Sequence, residues 1–493
     1  MPTTHRYISH LRTRYRIVLA FTGLICAIIG LVMLLPLLML IFFPVERTLA
    51  AAFLSPGLFL VVIGVLVWRW LLPPDPTLTH QEGAVIVVLS WAIALVMGGI
   101  PLRWVLELTP LQAFFESVSA WTTTGLSVVD VSTAPKSILF YRSTLQLAGG
   151  AGFAIIALSA LTGPTGLGIS LAEGRELLVP HIQRSASLVL SIYGGYVVVG
   201  IPALALAGMS WFDAVNHAFA ALSTGGFSTH PESIGYWDSA LIEGVVIVLM
   251  LLGTLNFVTA YALLRGKFRS VLRNGELHLM AWVIPLCVIA IFFLVSWSLY
   301  PTLGKGVRVA IFETITALSS TGFNTIDYRA WPGFGWLLLL LLMLIGGGTG
   351  STAGAIKQFR IYVLYRALRW EITRMFLPKQ VVTEPDVWIG ETRHFLTDAR
   401  VRQIGLFVFI YLITFFVGSA VIAAHGYSLQ ESLFEFASAI GTIGLSVGVT
   451  APDAPAGVLG IEIAGMILGR LEFFTIIIGV GKLFTDLRDY FNK

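Results

Sequence analysis

Four short stretches of this chain repeat one pattern of residue types. They read Phe115-Glu-Ser-Val-Ser-Ala-Trp-Thr-Thr-Thr-Gly125-Leu-Ser, Asn216-His-Ala-Phe-Ala-Ala-Leu-Ser-Thr-Gly-Gly226-Phe-Ser, Phe312-Glu-Thr-Ile-Thr-Ala-Leu-Ser-Ser-Thr-Gly322-Phe-Asn and Phe434-Glu-Phe-Ala-Ser-Ala-Ile-Gly-Thr-Ile-Gly444-Leu-Ser. The common glycines stand 101, 96 and 122 residues apart. Nine residues before each lies Glu116, His217, Glu313 or Glu435, and one residue after lies Leu126, Phe227, Phe323 or Leu445. The first half of each stretch suits a short helix and the second half a loop. Loops of this kind act through backbone carbonyls: a ring of carbonyls replaces the water shell of a cation. Glycine at the shared position lets the backbone take positive φ without steric cost, and helix C-termini pointed at a common centre add negative potential. A single loop of this type would read better as a glycine turn at a membrane interface. Four in register favour one closed site.

The surrounding elements agree. Of 493 residues 56% are apolar and only 12% charged, with a mean hydropathy of +0.85, whereas soluble domains carry about 25% charged residues. A bilayer-spanning helix takes roughly 20 apolar residues. That ruler predicts an all-α polytopic membrane protein with spans at 17–43, 50–72, 84–104, 137–162, 186–209, 241–264, 279–300, 336–375, 403–424 and 457–485. The first run lacks a small-residue cleavage pattern and reads as a retained helix. The four aligned segments fall between spans three and four, five and six, seven and eight, and nine and ten. They are too short to cross, so they read as re-entrant, which membranes tolerate only along a water-filled path. Lys and Arg divide 23 to 7 between the two sides of this topology. That places both termini and the basic loops, including 265–273 and 357–402, in the cytoplasm. The positive balance is thus topogenic and lipid-facing, with no nucleic-acid role. Cys26 and Cys287 lie in apolar runs and read as buried hydrophobes. No His-Glu-x-x-His or Gly-x-Ser-x-Gly pattern occurs, so the chain is not read as an enzyme, and no cofactor is expected.

The eighth span is too long for one crossing and breaks at Gly346-Gly347-Gly348-Thr349-Gly350-Ser351-Thr352-Ala353-Gly354. Five glycines here, at about 1 kcal/mol each relative to Ala, preclude a stable helix. The string partly matches a dinucleotide fingerprint, but no strand precedes it; close helix packing is the other bland alternative. Arg470 sits inside the tenth span, and an intramembrane charge marks function by default. The structural alternative is an ion pair with Glu462 or Glu472. Glu116, Glu313 and Glu435 read better as hydrogen-bonding braces than as cation attractors, and Asn256 and Gln146 as interhelical hydrogen bonds.

On Phe114–Gly125, Leu222–Thr229, Ser320–Thr325 and Gly346–Lys357 the chain resembles the Trk/Ktr/HKT superfamily of cation transporters, and within it the bacterial Trk-type potassium uptake subunits. The resemblance covers nearly the whole chain. It implies four span–pore helix–span repeats around a pseudo-fourfold pore: an N-terminal peripheral hairpin (1–76), then repeats at 77–170, 171–275, 276–385 and 386–493. It implies potassium as substrate, held by carbonyls of Thr123, Thr124, Gly125 and Leu126, of Thr224, Gly225, Gly226 and Phe227, of Ser320, Thr321, Gly322 and Phe323, and of Thr442, Ile443, Gly444 and Leu445. Glycine at all four filter positions implies preference for potassium over sodium. The glycine-rich loop and Arg470 would form a gate beneath the filter. Ala355 departs from the glycine common in relatives and would stiffen that loop. The resemblance further implies the bacterial inner membrane, a homodimer and a cytoplasmic ring of nucleotide-binding regulatory subunits. The rival class is a secondary symporter coupling potassium to protons or sodium. Two further alternatives are an accessory scaffold without a pore and a channel subunit of an ATP-driven potassium pump.

Overall fold

The computed structural model describes residues 2–74, 76–150, 152, 182–377, 384–389 and 392–492. The helices run, in chain order, α1 (Pro2–Leu34), α2 (Ala50–Leu71), α3 (His80–Leu106), α4 (Pro110–Trp121), α5 (Lys136–Gly150), α6 (Ile182–Leu206), α7 (Trp211–Leu222), α8 (Ala240–Thr254) and α9 (Phe257–Leu264). They continue as α10 (Phe268–Arg273), α11 (Gly275–Ile291), α12 (Leu303–Leu318), α13 (Gly333–Ile345), α14 (Gln358–Met375), α15 (Asp398–Ala424), α16 (Leu429–Gly441), α17 (Ala456–Leu471) and α18 (Phe473–Asn492). Among the described residues one hairpin interrupts the helices: β1 (Asp386–Ile389) pairs antiparallel with β2 (Thr392–Phe395).

Among the described residues, six continuous stretches are long and apolar enough to cross a bilayer, and they match the first, second, third, fifth, seventh and ninth expected spans. The far end of the fourth span, Arg175, Lys379 and Lys493 lie outside the described residues. Two spans expected to be continuous are broken. The sixth bends by 113° between α8 and α9. Asn256, expected to bond between helices, instead caps α9: its side-chain oxygen accepts the Val258 N–H at 2.8 Å. An asparagine amide competes locally for backbone donors in this way, and hydropathy is blind to it. The tenth breaks at Glu472, which takes φ +59°. The eighth separates, as expected, into α13 and α14 around the glycine cluster.

Contacts divide the chain into two units, one comprising 1–122, 128–195 and 471–493, the other 123–127 and 196–470. In the first unit α1 and α2 meet along a glycine seam. A Cβ on Gly30 would stand 2.6 Å from the Gly57 carbonyl, and one on Gly23 2.9 Å from that of Gly64. Small residues are how membrane helices reach close backbone contact without a hydrophobic drive between them. The Glu46 carboxylate accepts the N–H groups of Lys136 and Ser137, both at 2.9 Å, and so covers the start of α5. At the start of α3, Thr79 and Glu82 form a capping box.

In the second unit the short helices α7, α12 and α16 each start on a side-chain cap, Ser210, Thr302 and Ser428. Thr109 does the same for α4 in the first unit. These hydroxyls satisfy donors that a helix end otherwise leaves open. The β-hairpin packs its Val387 and Leu396 against Val363 of α14 and Ile404 of α15. One close contact recurs in three repeats. Gly253 in α8 lies against the Leu222 carbonyl, Gly469 in α17 against that of Ile440, and Gly149 in α5 against that of Trp121. Each carbonyl belongs to the residue four before a common glycine, so each following span leans directly on the end of its short helix.

That contact leaves no room for a side chain. Gly253→Val, whose Cβ would begin 2.6 Å from a backbone oxygen, is expected to lower stability by about 1–3 kcal/mol. Thermal unfolding of the purified protein in detergent checks this.

Candidate permeation site

The short helices end alike. In α7, Gly225 N–H donates to Ala220 O at 2.8 Å and Thr224 N–H to Ala221 O at 3.1 Å. The pairs Thr321–Thr316 and Ser320–Ala317 repeat this in α12, and Ile443–Ser438 and Thr442–Ala439 in α16. This is the Schellman closure, which requires a left-handed residue and normally uses glycine. Here Thr224 (φ +53°), Ser320 (+58°) and Thr442 (+50°) hold that position, and Thr123 has φ +58° in the first loop. A β-branched residue with positive φ is a true outlier, and strain of this kind concentrates at functional sites. Two residues later the chain turns left-handed again, at Gly125 (+93°), Gly226 (+72°), Gly322 (+86°) and Gly444 (+99°).

These four glycines bring the loops into one closed ring. A Cβ on Gly125 would overlap the carbonyl oxygen of Gly225, one on Gly226 that of Thr321, one on Gly322 that of Ile443, and one on Gly444 that of Thr124. Each loop thus touches the next in chain order, and the fourth touches the first. All sixteen residues singled out in the four loops fall in or beside this ring. A cavity of about 670 Å³ opens onto it, lined by Gly322, Gly444, Leu445, Glu232 and Asp327. The Arg329 guanidinium hydrogen-bonded to Asp327 holds that carboxyl below the ordinary range.

Behind the ring the residue nine before each glycine acts as a brace. Glu116 accepts the Val128 N–H at 3.1 Å, Glu313 that of Thr325 at 2.9 Å and Glu435 that of Val447 at 3.0 Å. In each case the donor lies three residues beyond the glycine, so one carboxylate ties helix to loop across the turn. All three are fully buried, which makes the hydrogen bonds obligatory. Arg142 donates to Glu116 at 2.7 Å, Tyr328 to Glu313 and Ser446 and Thr450 to Glu435, both at 2.6 Å. In the second loop His217 replaces the carboxylate. Its ring nitrogens meet Asp213 O at 2.8 Å and Ser228 Oγ at 3.0 Å, and the ring stacks on Phe323 with centroids 5.6 Å apart. The bracing role expected for the glutamates is the one their contacts have. Arg142, one of the seven basic residues on the non-cytoplasmic side of the expected topology, is a buried ion-pair partner.

The glycine-rich loop packs against the same ring. A Cβ on Gly354 would overlap Thr442 Oγ1, and one on Gly346 would lie 3.2 Å from Ser320 Oγ. Thr352 is its hub: its hydroxyl lies 3.1 Å from Thr224 Oγ1, 2.9 Å from Gly253 O and 3.1 Å from Leu222 O. Arg470 donates to the Thr352 carbonyl at 2.5 Å. Glu462, one partner considered for Arg470, turns instead to Thr450 Oγ1 at 3.1 Å. Gly348 N–H bonds Thr254 O at 3.0 Å, Thr349 N–H bonds Glu276, and Gln358 holds Gly346 O and Gly347 O, both at 2.9 Å. Ala355 takes φ +66°, a conformation that costs an L-residue roughly 1–2 kcal/mol. Glu276, Gln358 and the packing glycines Gly149, Gly253 and Gly469 were not singled out in the sequence. The glycines alone carried a signal, a recurring small residue in the second span of three repeats.

Apolar, partly broken helices long enough to cross a bilayer, with a closed ring of backbone loops among them, define a multi-pass membrane protein of the helical class. The family model described as TrkH, cation transport protein, matches residues 52–485. The Trk system potassium uptake protein TrkH of Halomonas elongata is 30% identical over 486 residues, covering 94% of this chain and 98% of the relative. TrkG of Escherichia coli, also described as a Trk system potassium uptake protein, is 32% identical, covering 94% and 97%. The crystal structure of the potassium transporter TrkH from Vibrio parahaemolyticus superposes with a TM-score of 0.82 at 29% identity, covering 94% of this chain and 98% of that one. This chain belongs to the TrkH family of cation transport proteins, whose relatives are transporters and not enzymes.

Removing one partner of a buried ion pair strands the other. Glu116→Ala leaves Arg142 without that carboxylate and the Val128 N–H without its acceptor. It is expected to cost about 3–5 kcal/mol, read by thermal unfolding in detergent, with Glu116→Gln losing visibly less because the amide oxygen still accepts.

Proposed function

We propose that this chain is the potassium-conducting membrane subunit of a bacterial uptake system, passing the ion down its electrochemical gradient through the ring of four loops. The closed backbone ring of Gly125, Gly226, Gly322 and Gly444 carries the reading. Its loops offer carbonyls and hydroxyls without titratable groups, the ligand set that substitutes for a monovalent cation's water. Four helix C-termini ending at the ring contribute negative potential. The relatives' described role in potassium uptake supports the same substrate. A membrane potential of 100 mV is worth about 2.3 kcal/mol per charge, enough for roughly 50-fold accumulation without ATP.

In this reading Gly346–Gly354 is the gate, and Arg470 holds it while setting an electrostatic barrier in the ion path. The pore comprises the four repeats at 77–170, 171–275, 276–385 and 386–493, with both termini cytoplasmic and the hairpin 1–76 peripheral. The proposal includes assembly as a homodimer in the inner membrane with a cytoplasmic nucleotide-binding regulatory ring.

Coupled symport is the second reading. Broken helices at membrane depth are a hallmark of secondary transporters, and here the breaks at Asn256 and Glu472 add to the one at Gly346. Flux of rubidium and sodium into proteoliposomes holding the purified chain, under clamped potential, separates the two. Conduction predicts flux that needs no proton or sodium gradient, rises several-fold in Arg470→Ala and loses potassium-over-sodium preference in Gly125→Ser. Flux that appears only with a proton or sodium gradient sinks conduction in favour of symport.

A further inference from the structure

Besides Arg470 and Gln358, the glycine-rich loop has a further side-chain anchor. Thr349 N–H donates to Glu276 Oε1 at 2.7 Å, and Gly348 is so close that a Cβ there would lie 3.2 Å from Oε2. Glu276 is 5% exposed and occupies the first turn of α11, outside every motif discussed above. A buried carboxylate accepting a backbone donor makes a charge-assisted bond, stronger than a neutral one.

What precedes Glu276 is as informative. Asn274 caps α11, its Oδ1 accepting Glu276 N–H at 2.8 Å, and its amide donates to Thr259 Oγ1 of α9 at 2.6 Å. Gly275 lies so tightly against Tyr362 of α14 that a Cβ would enter the ring. Immediately before these three buried residues runs the exposed basic segment 265–273, with Arg265, Lys267, Arg269 and Arg273. Arg273 sits over the Trp388 ring of the β-hairpin at 4.8 Å. Three residues thus separate a solvent-facing surface from the backbone of the glycine-rich loop.

We infer that Glu276 is a positioning residue that latches the glycine-rich loop against the ring, and that segment 265–273 is the surface element whose displacement withdraws the latch. The inference rests on the gate reading of that loop. Pulling α10 moves Asn274, which sets the first turn of α11; rotating that turn removes Oε1 from Thr349, and the loop loses that carboxylate anchor while the neighbouring Gly348 N–H keeps its bond to Thr254 O. A regulator can then act on the loop without touching it.

Thr349→Cys in a Cys26→Ala/Cys287→Ala background provides a direct probe, because the Thr349 backbone donor is kept. The reconstituted chain is treated with a membrane-impermeant maleimide, and rubidium and sodium fluxes are measured on the same vesicles. Glu276→Ala is expected to speed labelling of the cysteine by about tenfold or more and to raise rubidium flux, with the rubidium-to-sodium ratio unchanged because the ring is intact. Glu276→Gln should return both readouts toward the parent, since its amide oxygen still accepts Thr349 N–H. Asn274→Ala should speed labelling in the same direction, less strongly. If Glu276→Ala does not fold, Glu276→Asp, one methylene too short to reach, takes its place. Labelling unchanged by Glu276→Ala or Glu276→Asp overturns the latch, as does a Glu276→Gln protein that behaves like Glu276→Ala. Unchanged labelling in Asn274→Ala overturns the lever. Faster labelling with no change in flux overturns the gate reading of the loop and leaves the latch standing.

Discussion

The constraint on which this structure depends is the approach of four backbones to one another with nothing between them. At Gly125, Gly226, Gly322 and Gly444 a single methyl group would collide with the neighbouring loop's carbonyl. Such a ring cannot be held from inside, since it contains no side chains to pack. Every force that keeps it closed must come from behind, and the surrounding elements can be ordered by how they supply it.

The nearest supports are hydrogen bonds. A Schellman closure ends each of α7, α12 and α16 and turns the chain toward the centre. A buried carboxylate then holds the outgoing strand of three loops three residues past the glycine. Acceptor geometry explains why Glu recurs at this position: one carboxylate has lone pairs enough for a backbone N–H and a further donor from Arg142, Tyr328 or Thr450. His217 in the second loop has one acceptor nitrogen at most in its neutral form, and the stacking on Phe323 supplies by packing what the missing oxygen would have supplied by bonding. The next layer is steric. Gly149, Gly253 and Gly469 let the following helices press on the carbonyls at the ends of the short helices.

The glycine-rich loop is anchored differently. It touches the ring through Thr352, Gly354 and Gly346, and is tied outward by Arg470, Glu276, Gln358 and Thr254. Its contacts are mostly single hydrogen bonds to loop backbone, and it carries a strained Ala355.

Composition and period alone determined that this chain lies in a membrane, that its spans are helical, and that one motif recurs four times between them. These follow from the bilayer, whose thickness fixes helix length and whose interior forbids unpaired backbone. The glutamate braces were legible because a buried acid beside a repeated loop has few other employments. Tertiary structure decided the rest. The breaks at Asn256 and Glu472 lie in apolar runs that hydropathy cannot distinguish from continuous helix. The left-handed threonines defy propensity and are held by the closures around them. Arg142 beside Glu116 and Thr349 on Glu276 join residues 26 and 73 positions apart in the chain. A sequence records which groups are present and how they alternate. Which donor finds which acceptor is settled only when packing brings them within 3 Å.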